Sequence, residues 1–255
     1  MIYLISSGLS TFYGIANGLG SATLLRPLLD AVSPLSSSSI ALLCTMATLC
    51  ASLVCAFFAL SQPLPLPQDD LLLLAVGSAL GGVLGDLAAY RFISVLLPSS
   101  AVLLQNALLL ILTALPMLYF ERISPLLPPM RLSGVMAFPM AIGVGLAASF
   151  LSYGAEPLSL MLMFLLFDAQ DNEAAIAALT ISLCSMAAKL LIMLIRLRFS
   201  LPHAEVLLWL LPGALIGTLL AMFPLLQKYP QRSGSTLLKL SMFTSLLNVA
   251  ASSMA

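Results

Sequence analysis

Apolar residues run along this chain in long blocks, near 2–29, 39–60, 71–90, 100–120, 132–167, 174–195, 204–226 and 235–254. The gaps between them are short and polar or proline-rich, among them Gln62-Pro63-Leu64-Pro65-Leu66-Pro67-Gln68-Asp69-Asp70, Pro98-Ser99-Ser100, and Asp168 to Glu173. A helix needs about 20 apolar residues to cross roughly 30 Å of hydrocarbon. The blocks are continuously apolar rather than alternating, which favours helices over a strand-based barrel. The pattern predicts an all-α integral membrane protein of about eight transmembrane segments with no extramembrane domain.

Two blocks are too long for one crossing and carry helix-weakening residues. The first holds Gly14, Asn17-Gly18-Leu19-Gly20-Ser21 and Pro27; the fifth holds Gly143, Gly145, Ser152-Tyr153-Gly154-Ala155-Glu156 and Pro157. Backbone groups freed inside a membrane need protein, water or ligand as partners. Each block therefore reads as helix, break and half-helix, either kinked or re-entrant. The two breaks also match in an internal repeat. Gly20 and Gly154 stand 134 residues apart, Leu103-Leu104-Gln105 and Leu237-Leu238-Lys239 also 134, and the small-residue motifs Gly77-to-Gly81 and Gly213-to-Gly217 136 apart. The expected organisation is two homologous four-segment repeats, 1–122 and 131–255, joined by a linker at 123–130. Paired broken helices in the two halves point to a transporter's central site.

Composition agrees: 61% of residues are hydrophobic and 8% charged, against about 25% charged in soluble domains. This excludes a soluble enzyme and a disordered chain. Ten basic and ten acidic residues cancel, so no attraction to nucleic acid is expected. With eight single crossings, Arg26, Arg91, Lys228 and Arg232 face one side and Arg122, Arg131, Arg196 and Arg198 the other, so the positive-inside rule gives no orientation. If the first and fifth blocks re-enter, each half makes three crossings and the halves are inverted. The start Met1-Ile2-Tyr3-Leu4 lacks a basic region and reads as a retained membrane segment. Cys44, Cys50, Cys55 and Cys184 read as small core residues without metal-ligand spacing.

Ionisable groups inside a bilayer are rare and mark function by default. Arg26 follows the first break. A half-helix beginning near Ser21 would aim its free N–H groups and positive end at that break, with Ser21 and Thr23 adding hydroxyls. Arg26 then either supplies a full charge for a small anion, or snorkels or pairs with Asp30. Glu156 holds the equivalent place in the second half. It either couples a proton, pairs with a base such as Lys239, or is satisfied by local N–H groups. Gln105 and Asn106 offer amide groups to the pathway or an interhelical hydrogen bond, and Lys239 faces the pathway or snorkels. Lys189, seven residues before Arg196, is expected to snorkel. Enzyme readings find no support: the only histidine, His203, sits beside Pro202 at a loop, and no P-loop is present. No cofactor and no metal are expected.

Gly18-Leu19-Gly20-Ser21-Ala22-Thr23-Leu24-Leu25-Arg26-Pro27-Leu28-Leu29 resembles the Gly-Ile-Gly-Gly-Gly-x-x-x-x-Pro-x-Leu signature of the sulfite exporter TauE/SafE family. Ser152-Tyr153-Gly154-Ala155-Glu156-Pro157-Leu158-Ser159-Leu160 resembles its second copy. Gly77-to-Gly85 is similar to the family's glycine-rich third helix, and Leu104-Gln105-Asn106 to its fourth. The similarity runs through nearly the whole chain in order. It implies a multi-pass secondary carrier of the bacterial inner membrane for sulfur-containing anions such as sulfite or sulfoacetate. Ser21 and Ala22 replace two glycines of the first signature, and Ser152, Ala155 and Glu156 replace three positions of the second.

The resulting expectation is alternating access around a site between the two breaks. Gly18, Gly20, Ser21, Ala22, Thr23, Arg26, Gln105, Asn106, Gly154, Ala155, Glu156, Ser159 and Lys239 are its candidate substrate contacts. Partners are a small anionic substrate, the lipid bilayer, and either a second copy of the chain or a second membrane subunit. The alternatives are a non-transporting membrane subunit derived from the same family, or a carrier whose substrate has changed to a cation or neutral metabolite.

Overall fold

The computed structural model of the chain describes residues 1–16, 22–33, 35–59, 67–92, 101–123, 130, 134–197 and 203–222. Among them the secondary structure is helical throughout: α1 (Ile2–Ala16), α2 (Ala22–Val32), α3 (Ser37–Ala59), α4 (Gln68–Arg91), α5 (Ala101–Leu118), α6 (Ala137–Leu151), α7 (Glu156–Phe167), α8 (Asp171–Arg196) and α9 (Ala204–Ala221). A π-helical turn, Tyr119–Ile123, extends α5, and a 3-10 turn precedes α6. Ser37–Ala59, Gln68–Arg91, Glu173–Arg196 and Ala204–Ala221 are long and apolar enough to cross a membrane. The eighth apolar block, 235–254, lies outside the described residues.

The fifth block is divided at residues 152–155; in the first, 17–21 lie outside the described residues between two helices. The first becomes α1 and α2, and Pro27 is carried inside α2 rather than ending it. The fifth becomes α6 and α7. Ser152 takes the left-handed conformation at φ 53°, and Gly154 sits at φ 94°, where a side chain would be strained.

Each divided block folds back on itself. The Tyr3 and Ser33 hydroxyls lie 3.2 Å apart, which brings the start of α1 to the end of α2. The Met130 N–H donates to the Leu165 carbonyl at 2.9 Å, which brings the chain ahead of α6 to the end of α7. With 15 residues each, α1 and α6 are about 22 Å long, less than the hydrocarbon thickness. Both blocks are therefore helical hairpins, not straight crossings.

Close glycine contacts fix how the hairpins pack. A methyl group added at Gly81 of α4 would meet the Ile142 carbonyl and the Leu146 N–H of α6; one at Gly217 of α9 would meet the Gly8 carbonyl and the Phe12 N–H of α1. Gly77 and Gly213 likewise face the carbonyls of Phe138 and Leu4. Small-residue faces replace the hydrophobic drive that lipid does not supply. They also show that α4 runs parallel to α6 and α9 parallel to α1. Ser38, Ser39 and Leu42 at the start of α3 meet Met193 and Arg196 at the end of α8, so those two are antiparallel. The α1–α2 hairpin accordingly opens at the end of the bundle where α3 begins, and the α6–α7 hairpin opens at the other.

Two buried apolar clusters surround the hairpins. One joins Leu74, Val144, Ala148, Met163, Ile181 and Met186 of α4, α6, α7 and α8. The other joins Leu25, Leu29, Leu43, Ala47, Leu210 and Ala214 of α2, α3 and α9. The outer faces are also apolar: Leu72, Val76, Leu80, Leu84 and Leu87 form an exposed stripe along α4, while Gly77, Ser78, Gly81 and Gly85 turn inward. That arrangement suits a lipid surround.

Candidate functional site

The site is built around the end of α6. A helix leaves its last carbonyls without intrahelical partners, and its C-terminus carries partial negative charge. Two are closed locally: Tyr153 N–H donates to Ala148 O at 3.3 Å and Ser152 N–H to Ser149 O at 3.3 Å. Two cations complete the turn. Arg26 Nη1 donates to Leu151 O at 3.3 Å. Lys189 Nζ donates to Ser149 O and, at 2.6 Å, to Ser152 Oγ. Arg26 and Lys189 are each only 2% exposed.

Arg26 is held by four protein groups. Besides Leu151 O, its Nε donates to Asp30 Oδ2 at 2.9 Å, and its Nη2 to Ser37 Oγ at 2.9 Å and Gln105 Oε1 at 3.3 Å. Ser37 Oγ also donates to Gln105 Oε1 at 2.8 Å. Thus α2, α3, α5 and the α6 tip meet at one guanidinium. Lys189 differs, for no carboxylate lies within ion-pair distance of it among the described residues. It lies in the electrostatic field of Asp86, Arg26 and Arg196.

Glu156 opens α7 on the other side of the break. Its Oε1 accepts from Ser182 Oγ at 2.6 Å. Its Oε2 is buried with no hydrogen-bond partner among the described residues. The backbone N–H groups of Ala155 and Glu156 also face this carboxylate, the local arrangement expected at a helix N-terminus.

Of the expected site residues, Arg26 and Gln105 meet at the α6 tip, Gly154 and Ala155 form the break, Glu156 begins α7 and turns its carboxylate to Ser182, and buried Thr23 lies in the first turn of α2. Arg26 pairs with Asp30, and Gln105 makes an interhelical hydrogen bond. The Ser159 hydroxyl turns back onto its own helix, to Ala155 O at 2.7 Å and Glu156 O at 3.0 Å. Gly18, Gly20, Ser21 and Lys239 lie outside the described residues, as do the side chains of Ala22 and Asn106. The N–H groups near Ser21 and a Glu156–Lys239 pair are thus not described.

One expectation is overturned. Lys189 does not snorkel; it is buried and its ammonium ends on the α6 tip. The sequence carried a signal for this: Ser182, Ser185, Lys189, Met193 and Arg196 recur at helical spacing, making one polar face along α8. Ser182, on that same face, and Ser37, within the run Ser36 to Ser39, were also missed.

The family model for the sulfite exporter TauE/SafE matches residues 3–252. No curated protein and no solved structure matches the chain.

Proposed function

Because the chain belongs to the sulfite exporter TauE/SafE family, an integral membrane transporter family, we propose that it carries a small sulfur oxoanion or organosulfonate across a bacterial inner membrane. The reading rests chiefly on one observation. Two buried cations from different helices, Arg26 and Lys189, converge on a single broken turn, and Lys189 has no carboxylate to neutralise it among the described residues. Such a turn offers an anion ammonium and guanidinium N–H groups plus the Ser152 hydroxyl. In this state those donors rest on α6 carbonyls and the Ser152 hydroxyl; an entering anion exchanges for them, and the cations, already out of water, incur no further desolvation while offsetting that of the anion.

The mechanism is alternating access between two inverted halves, 1–122 and 131–255, joined by 123–130. The equivalence of Gly81–Ile142 with Gly217–Gly8 supports the repeat. The opposite openings of the two hairpins support the inversion. Among the described residues each half contributes one hairpin, followed by α3, α4 and α5 in the first half and by α8 and α9 in the second. Arg26 spans the halves, so its contact with Leu151 breaks and reforms as they rock. Glu156, with Oε2 unpartnered among the described residues, carries the coupled proton. No nucleotide motif is present, so the substrate gradient, membrane potential or proton gradient drives the cycle.

The engagement of Arg26 on four sides also fits a fixed brace in a non-transporting subunit. Proteoliposome transport of radiolabelled sulfite and sulfoacetate separates the two. The carrier reading expects uptake that disappears in Arg26→Ala while the protein still inserts. Uptake absent from the wild type sinks the carrier reading, and uptake unchanged in the variant sinks the role given to Arg26.

A further inference from the structure

Beyond the break, the chain has a cavity of about 250 Å³ where α3, α4 and α8 meet. It is lined by Ser38, Ser39, Leu42, Tyr90, Met193, Arg196 and Leu197, and the hydroxyls of Ser38 and Ser39 both meet Ser36 Oγ, at 3.1 and 2.9 Å. Leu42 is buried and Ser38 exposed, so the cavity opens on the Ser38 side and closes toward the protein interior. Its volume holds a small oxoanion with several waters, at roughly 30 Å³ per water.

Arg196 is poised rather than saturated. Its Nη2 meets Asp86 Oδ2 at 2.5 Å, and its guanidinium carbon stands 4.2 Å from the Tyr90 ring centre. Its other N–H groups have no protein acceptor among the described residues. The arginine side chain is 29% exposed and the aspartate 5%, and of the two only Arg196 lines the cavity. Met193 and Lys189 follow Arg196 inward along α8 at successive turns.

We propose that this cavity is an outer binding site for small oxoanions, with Arg196, Ser38 and Ser39 as its donors, and that it feeds the break through Met193. The proposal deepens the carrier reading and rests on it for the second step. An anion docks on those N–H groups of Arg196 that have no acceptor among the described residues, the side chain being held by Asp86 and the Tyr90 face. It then passes the thioether of Met193 to reach Lys189. Cation, apolar barrier, cation is the order expected of a path that attracts an anion without trapping it.

The test is independent of transport. Ser38→Cys in the full-length, detergent-purified protein is treated with an anionic and a cationic methanethiosulfonate of similar size. Modification at residue 38 is followed by peptide mass spectrometry, each rate normalised to a free thiol. We expect the anionic reagent to be favoured by about tenfold or more. That preference falls toward unity when Arg196→Gln is added, survives in Arg196→Lys, and is weakened by sulfate, which does not react with either reagent. The ratio of the two rates cancels any change in thiol ionisation. An anion preference that is the same with and without Arg196→Gln, or no modification at residue 38, overturns the outer site. If the anion preference stands but sulfite uptake fails, the fault lies with the carrier reading and not with the cavity.

Discussion

Replacing Lys189 by methionine separates a substrate cation from a structural one. The side chain is buried and its ammonium makes two charge-assisted hydrogen bonds, to Ser149 O and Ser152 Oγ. Each is worth about 1.5–3 kcal/mol, so their loss costs about 3–6 kcal/mol. Against that, burying an ammonium costs several kcal/mol, and methionine has similar length without a charge. Ser149 Oγ keeps its own bond to Gly82 O at 2.6 Å, so the local helix contact survives. The two contributions nearly cancel, and Lys189→Met is expected to unfold within a few degrees of the wild type. Its effect on ligand is not offset. Truncating one partner of a buried charged pair costs about 2–5 kcal/mol of binding, which is about thirtyfold to several-thousandfold in Kd. Equilibrium binding of radiolabelled sulfite to purified protein, with thermal unfolding in parallel, reads both numbers. A variant that binds sulfite as tightly as the wild type refutes the role of Lys189. A variant that loses binding only because it no longer folds refutes the stability argument.

Arg26→Ala should behave differently, because it strands the partly buried Asp30; a loss of about 3–5 kcal/mol in stability is expected together with loss of binding. Asp30→Asn keeps a neutral acceptor beside Arg26 and should retain uptake, and failure of both variants alike would make the pair purely structural. Gly81→Ala and Gly217→Ala each press a methyl onto a backbone carbonyl of the paired helix, so each should lower stability by about 1–3 kcal/mol. Thermal unfolding checks whether the two losses are comparable, and markedly unequal values would count against the equivalence of the two contacts. Glu156→Gln keeps an acceptor for Ser182 but cannot carry a proton. Substrate binding is expected to persist while stimulation of uptake by a proton gradient disappears, and retained stimulation would remove Glu156 from coupling.

The helices and their breaks were legible in the sequence because both are local. Continuous apolar runs have one way to satisfy their backbone in lipid, and clustered glycine with small polar residues weakens a helix wherever it stands. Whether the broken blocks crossed or returned was not legible, since a kinked span and a hairpin have the same composition. It was decided by contacts between distant residues, Tyr3 with Ser33 and Met130 with Leu165. Charge count failed on orientation because the basic residues divide evenly between the two sides. The fate of Lys189 was equally a tertiary matter. From the sequence it is a long cation two turns from a helix end, free to reach the headgroups. In the fold its helix face turns inward, and the open carbonyls at the end of α6 lie where its ammonium arrives. The sequence by itself thus determined a helical chain with apolar segments long enough to cross a membrane. The tertiary structure alone decided which charges meet there, because in a medium without water a buried cation ends on whatever acceptors the packing of other helices brings within reach.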